Sequence, residues 1–548
     1  MVISTALNLK RLKSLVDWKL LLFLILFLNV KLAVKIPAII LIYLLQFNFK
    51  FGFSIKNSRL PLFYLLAIGI AVLNWIINKN YADINYNILL LTGIGFWVLC
   101  ILAMHQVKLS VENNDTETIN RTIVFFFVLN AAISIFNLAA IIIETGSLNP
   151  YIYQGQYQKY FIGTGDYIKG LTADTSTTNA VLNAFGVIYF LAKRNTTMLL
   201  ICMAVLLLTG SNFTNLVLLI ILALLFIFKS SRGQKSMIVV CLMFLVVFMA
   251  KISPQNNSYV TETFKNTFHL KVIHKSPPPV LNLPITLMPD SRLNPGQRKQ
   301  KIAMRYLDSI YVTIHPKIKH PAKAALTTES GRIFIPKPDI NSKSYQHIAD
   351  TTAYQKHLLA FINAHQASLP ISSQDRYPSS MPGKVTGLFQ TINFIHQHPY
   401  KIITGNGIGN FSSKLAFRAS GLGFAGGYPQ KFAYINPDFL SNHLDIYLNF
   451  FSKKTDFHSL TNNPDSVYDQ LLAEYGILGL MAFLIYYLGF FLKHYKQLTY
   501  GLPILLLLLA VFFIEYWFEQ LSILLFFELM LLLNIKETSA KKALSYAN

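Results

Sequence analysis

The sequence predicts an all-α polytopic membrane protein with about twelve transmembrane helices and a large, partly helical external loop between spans 9 and 10. Three observations carry this prediction. Hydrophobic residues make up 53% of the chain and charged residues 13%, and mean hydropathy is +0.43, well away from an ordinary soluble domain. Apolar blocks able to cross a bilayer recur along the chain. One polar stretch, residues 252–468, interrupts them.

In chain order the blocks lie at 18–33, 36–53, 60–78, 88–106, 121–143, 176–193, 197–210, 213–229, 236–251, 469–492, 501–516 and 519–535. Lys31 and Lys35 interrupt the first pair, and 197–210 is short for a span. The apolar run after Lys10, Arg11 and Lys13 leads straight into further hydrophobic sequence, so it reads as a first span and not as a cleavable signal. The expected units are an N-terminal membrane domain (1–251), the external loop (252–468), a C-terminal membrane domain (469–536) and a tail (537–548).

Orientation follows from short loops, which keep Lys and Arg on the cytoplasmic side. Lys10/Arg11/Lys13, Lys50/Lys56/Arg59, Lys193/Arg194, Lys229/Arg232/Lys235, Lys493/Lys496 and Lys536/Lys541/Lys542 all fall on one side when the blocks alternate. Both termini are then cytoplasmic, and segments 144–175 and 252–468 face outward. The large loop carries 23 Lys and Arg against 10 Asp and Glu between Ile252 and Asn463, a net +13 of the chain's +23. Such a surface attracts anionic membrane lipids, pyrophosphate-linked lipids or acidic polysaccharides, and nucleic acid is not an expected partner there.

Cys100, Cys202 and Cys241 all lie inside apolar blocks, so no disulfide framework is implied. Eleven of the 13 His residues lie in the loop, without metal-ligand spacing, and neither a metal nor another cofactor is expected.

The loop divides by composition. Residues 252–382 are rich in Pro, Lys, Ser and Asn, include Ser276-Pro277-Pro278-Pro279, and show helical periodicity only in pieces such as Tyr354 to Ala367. From Gly383 to Ile395 an amphipathic helix is expected, ending before His398-Pro399. Gly405-Asn406-Gly407-Ile408-Gly409-Asn410-Phe411 follows. Bare backbone amides at such glycines can cradle phosphate, but no Gly-Lys-Ser/Thr follows, and a tight turn explains the spacing better. Pro464-Asp465-Ser466 then signals a helix start before Val467 to Leu480, where Glu474, Gly476 and Gly479 suit close helix packing.

These motifs, in this order, resemble the O-antigen ligase/polymerase family of polytopic bacterial glycosyltransferases: the basic helix start Gly383-Lys384, Ile395 to Pro399, Gly-x-Gly-x-Gly-Asn-Phe, and Glu474-x-Gly476-x-x-Gly479-Leu480 before a span. Leu208-Thr209-Gly210-Ser211-Asn212 is similar to the family's Thr-Gly-Ser-Arg turn, with Asn212 where Arg is usual, and Ile168-Lys169-Gly170-Leu171 to its Arg-before-Gly loop. The likeness covers the apolar scaffold and 383–468, not 252–380. One departure stands out: counting back from Glu474 puts Asp465 and Ser466 on the positions of the family's His-Asn.

The resemblance implies transfer of a glycan from an undecaprenyl-pyrophosphate donor to a sugar hydroxyl, with the lipid A core or another glycan as acceptor, at the periplasmic face of a bacterial inner membrane. Ligase, polymerase and protein O-oligosaccharyltransferase share that donor and remain open, and a transporter or a non-catalytic assembly protein would share the spans. A pyrophosphate leaving group calls for converging cations, and Lys169, Lys384 and Arg418 are the candidates. The acceptor hydroxyl calls for a base, with Asp465 first and His443 second, and His458 near enough to be considered. The competing structural roles are interfacial snorkelling for the lysines and helix capping for Asp465.

Overall fold

The computed structural model describes residues 15–28, 31–46, 60–145, 148–152, 168–172, 176–253, 328–329, 332–333, 382–421, 427–451, 462–496 and 498–547. A helix occupies every apolar block: α1 Trp18–Phe27, α2 Leu32–Gln46, α3 Phe63–Ile77, α4 Ile84–Asn113, α5 Thr116–Thr145, α6 Ser176–Lys193, α7 Thr196–Leu208, α8 Asn212–Phe228 and α9 Arg232–Val247. The loop contributes α10 Gly383–Gln397, α11 Lys414–Ala419, α12 Pro437–Asn442 and α13 Leu444–Phe451. α14 Val467–Ala482, α15 Gly501–Val511, α16 Trp517–Gln520 and α17 Ser522–Ala547 complete the chain. Four helical stretches, 84–113, 116–143, 232–252 and 467–492, are long and apolar enough to cross a bilayer, and six further apolar helices are shorter. This is the architecture of a helical membrane protein. Among the described residues the only strands are the two-residue pair Thr328–Glu329 and Arg332–Ile333. The expected helix at Tyr354 to Ala367, the Ser276 to Pro279 stretch and His458 lie outside the described residues.

Side chains at the helix starts supply partners for orphan amides. The Asp17 carboxylate accepts from the Lys19 and Leu20 amides, and the Asp83 carboxylate from those of Asn85 and Tyr86. Ser231 and Gln234 form a reciprocal capping box at α9.

α17 is the centre of the bundle. Its residues from Ile523 to Leu531 are all fully buried, and it packs against α4, α5, α6 and α15. Apolar residues cover every side of this stretch, and its one carboxyl, Glu528, is enclosed with them and accepts from the Tyr64 hydroxyl. Beside it Phe63, Trp97, Phe483, Phe512 and Phe518 interlock, with neighbouring ring centroids 5.1 to 6.1 Å apart.

Contacts at the helix ends fall into two groups. In one, Lys193 Nζ lies 2.5 Å from Glu537, Lys536 Nζ donates to the Val111 carbonyl near the end of α4, and Gln234 donates to the Leu191 carbonyl. In the other, Asn149 donates to the Ile252 carbonyl, Asn85 to the Ala433 carbonyl, Gln520 to Thr178 and Lys384 to the Ile514 carbonyl.

Candidate functional site

The glycine turn and the start of α14 form one interlocked unit. Gly405, Gly407 and Gly409 all have positive φ, at 79°, 95° and 71°. This conformation points successive amides inward. The concavity is filled by the protein's own Glu474, whose carboxylate accepts from the amides of Gly409 (2.8 Å), Phe411 (3.1 Å), Ser412 (3.2 Å) and Ser413 (3.1 Å). The anion-binding capacity of the glycine spacing is therefore taken up internally, as a turn would require. The backbones interlock too: the Asn406 amide donates to the Ala473 carbonyl, Gly407 to Glu474 and Leu478 to Ile403. Gly476 breaks the α14 helix with φ 66° and ψ −164°, which lets the turn approach.

Ser413 ends that turn by capping α11, accepting from the Ala416 amide, and α11 presents Lys414 and Arg418 one turn apart. Lys414 Nζ lies 3.3 Å from Asp465 Oδ2 and 4.5 Å from the Tyr516 ring centroid, and the Arg418 guanidinium lies 5.8 Å from the same ring. Lys384, in the first turn of α10, is fully enclosed and donates to the carbonyls of Asp465 and Ile514. Two of the expected cations, Lys384 and Arg418, thus share a neighbourhood with Lys414. Burial pushes the Lys384 ammonium down to about 8, against the opposing pull of Glu515 and Asp465. Burial acts on Lys414 in the same sense, but Asp465, Tyr516 and Glu515 outweigh it and raise that ammonium above its ordinary value. Arg418 is half-buried, and its Nε lacks a hydrogen-bond partner.

Asp465 does not cap α14; Ser466 stands at the N-cap without a side-chain bond, and the Val467 amide donates to the Phe512 carbonyl instead. Both carboxylate oxygens of Asp465 are engaged, Oδ2 by Lys414 and Oδ1 by the Tyr447 hydroxyl at 2.5 Å. Burial first, and then the Asp465 charge, hold the Tyr447 hydroxyl well above its ordinary pKa, so it stays a donor.

His443 closes α12, fully buried, with Nε2 3.1 Å from Asp469 Oδ2 on α14. Its ring lies 4.7 Å from that of Phe411. Gly387 on α10 opens the space: a Cβ there would stand 3.4 Å from His443 Nε2 and 3.5 Å from Asp469 Oδ2. His443 Nδ1 and Asp469 Oδ1 have no hydrogen-bond partner, nor do the Gln390 amide and the Thr391 hydroxyl one turn along the same face of α10.

Lys169 is placed differently. It sits in the turn Ile168 to Thr172, which is pinned by side-chain amides: half-buried Asn137 accepts from Gly170, buried Asn130 accepts from Leu171, and buried Asn179 donates to the Ile168 carbonyl. No contact among the described residues joins Lys169 to Lys384 or Arg418; Gln520 on α16 donates to Thr178 on α6, the helix that follows the Lys169 turn. Lys414, Tyr447 and Asp469 are absent from the sequence expectation. Spacing offered a signal for the first, four residues before Arg418, whereas Tyr447 and Asp469 reach the site only through tertiary packing. No family model, no curated protein and no solved structure matches this chain.

Proposed function

We propose that the chain is an O-antigen ligase-like glycosyltransferase, moving a glycan from undecaprenyl-pyrophosphate to a sugar hydroxyl, with the lipid A core as acceptor, at the periplasmic face of a bacterial inner membrane. In this reading the protein has twelve spans and cytoplasmic termini, and the two groups of helix-end contacts belong to the two membrane faces. The observation that carries it is the gathering of Lys384, Lys414 and Arg418 beside a buried His443–Asp469 pair, where the loop meets α14 and the segment before α16.

Charge developing on a departing diphosphate needs fixed cations in a water-poor setting. Arg418, half-exposed, meets the phosphate oxygens with its planar fork, and Lys384 adds charge from behind. Lys414, held by Asp465, places the α11 end of that cluster. The acceptor proton goes to His443, whose Nδ1 is unpartnered while Asp469 orients the ring from Nε2. Asp465 then serves as counter-ion, its oxygens already committed to Lys414 and Tyr447. The proton passes to imidazole, the acceptor oxygen bonds the anomeric carbon, and the diphosphate leaves from the opposite face. Lys169 supplies a further cation if the donor extends towards α6.

The test is surface polysaccharide from a deletion strain, complemented with wild type, Arg418→Ala, His443→Ala or Asp465→Ala. Long chains should be lost in the deletion strain while carrier-linked glycan accumulates. His443→Ala should leave transfer slower by about 10²-fold or more. Single-repeat products would assign polymerase activity, and an unchanged ladder without carrier accumulation would reject the reading.

A further inference from the structure

α16 is a single helical turn held in place by its neighbours. The Lys35 ammonium donates to the Gln520 carbonyl, the Gln520 side chain donates to Thr178, and the Cys100 thiol donates to the Phe518 carbonyl at 3.8 Å. Leu521 ends the turn at φ 67°, a backbone conformation that a large side chain adopts only under such constraint.

This turn carries Glu519, which is 8% exposed. Its Oε1 accepts from the Gln470 amide of α14 at 2.8 Å, and Oε2 has no hydrogen-bond partner. An unpaired buried carboxyl oxygen is costly and calls for an explanation. Glu519 and Gln470 line a cavity with about 200 Å³ of empty space, its mouth included, between walls formed by Phe96, Trp97, Leu415 and Phe518. Arg418 lies on α11 three residues after Leu415, with Nε unpaired. Tyr428 ties the two groups together: its amide donates to the Arg418 carbonyl, and its hydroxyl feels the charges of both Glu519 and Arg418. An acceptor and a donor, both incomplete, thus stand in one neighbourhood.

We propose that Glu519, oriented by Gln470, is a specificity-determining residue that accepts a hydrogen bond from a hydroxyl or amide N–H of the sugar joined to the diphosphate. The assignment rests on the glycosyl-transfer reading, in which Arg418 meets the phosphate oxygens. The diphosphate is bonded directly to the anomeric carbon, so a cavity beside Arg418 receives the sugar. A carboxylate offers acceptors alone: it pairs with sugar donors and repels phosphate, which sorts one end of the substrate from the other. Mostly apolar walls with a few fixed polar groups are how a site orients a small ligand. A sugar lacking a donor at that position leaves Oε2 unpaired and is discriminated against.

The competing role is charge balance, since Arg418 and Lys414 both act on Glu519 electrostatically. The two roles part on the ligand. Charge is felt by the diphosphate whether or not a sugar is attached, whereas a hydrogen bond to the sugar needs the sugar.

Binding to the purified full chain in lipid nanodiscs tests this with two probes, undecaprenyl pyrophosphate and the carrier-linked glycan isolated from the deletion strain. The readout is the ratio of their affinities. Wild type should favour the glycan-bearing carrier, and Glu519→Gln should cut that preference about tenfold or more. Its affinity for the bare carrier should stay equal or rise with the lost negative charge. An unchanged ratio, with both affinities moved together, assigns Glu519 to charge balance or folding and overturns the proposal, as does a wild type without preference. Failure of both carriers to bind wild type removes the glycosyl-transfer reading and this subsite with it. A measurement on wild type alone covers a variant that does not fold. An apolar carbodiimide should modify Glu519 less with the glycan-bearing carrier bound than with the bare one, with enclosed Glu528 as the reference. Equal modification with both carriers overturns the proposal.

Discussion

At the scale of single residues, the cation cluster makes a pH prediction whose two signs differ. Lys384 faces Glu515, Asp465 and Asp469 as well as Lys414, and burial leaves its ammonium titrating at about 8 instead of 10.5. Transfer should therefore fall as pH rises through about 8, because the buried charge is lost. Stability should move the other way. Between about 8 and 10.5 the unfolded chain holds the proton that the folded chain has released, so folding becomes more favourable across that window. Activity profiles and melting curves on the same samples separate the two effects, and Lys384→Arg should remove the alkaline loss in any variant that folds. Simultaneous loss of activity and folding above pH 8 would contradict this assignment. Lys414 behaves differently, since Asp465 and Tyr516 hold it charged throughout the range. Lys414→Met strands the Asp465 carboxylate and should cost about 3–5 kcal/mol, whereas adding Asp465→Asn should recover much of it in a double-mutant cycle.

At the scale of elements, the Gly405 to Gly409 turn and the Glu474 to Gly479 motif were legible in sequence as a turn and a packing motif, but not as partners. Spacing reports which backbone can turn sharply; it does not report that an acidic side chain 65 positions away from Gly409 will fill the amide concavity. The same limit applied to α10. Its boundaries followed from Gly383 and from His398-Pro399, whereas its facing did not, because periodicity measures the separation of polar and apolar sides and is blind to which side meets protein. Interlocking makes strong demands on the glycines. A Cβ on Gly476 would lie 2.5 Å from both the Gly405 amide nitrogen and the Ile403 oxygen, on a backbone that only glycine adopts readily. Gly476→Ala should lower the melting temperature far more than Gly233→Ala, where nothing stands within 4 Å of the added carbon. Equal melting temperatures would mean that turn and helix are not locked. Glu474→Gln probes the same lock from the side chain, turning an NH2 towards amide donors, and should destabilise without needing any change of backbone.

At the scale of the whole molecule, the hydrophobic blocks located helices, four of them in stretches long and apolar enough to cross a bilayer, because long apolar runs fold as helices in such a chain. They did not identify α17 as the central helix. Apolar residues satisfy a lipid exterior and a protein interior equally well; within Ile523 to Leu531 only Glu528 argues for the interior, and packing shows that the whole stretch is enclosed, with the Tyr64 hydroxyl donating to Glu528. Charge distribution predicts more, since the sides it assigns must agree with contacts made across hundreds of residues. Lys193, Glu537 and Tyr500 meet at one end, while Asn149 with Ile252 and Asn85 with Ala433 meet at places the charge rule puts on the other. A cysteine series checks this directly, with Cys100, Cys202 and Cys241 buried and out of reach of reagent. In spheroplasts a membrane-impermeant maleimide should label Tyr81→Cys, an exposed position in the turn that the charge rule puts outside, and should label Lys229→Cys and Lys496→Cys only after lysis. Labelling of all three before lysis would break the two-sided arrangement. It would also separate the loop from the periplasm, since the loop follows α9 directly and α9 begins three residues after Lys229.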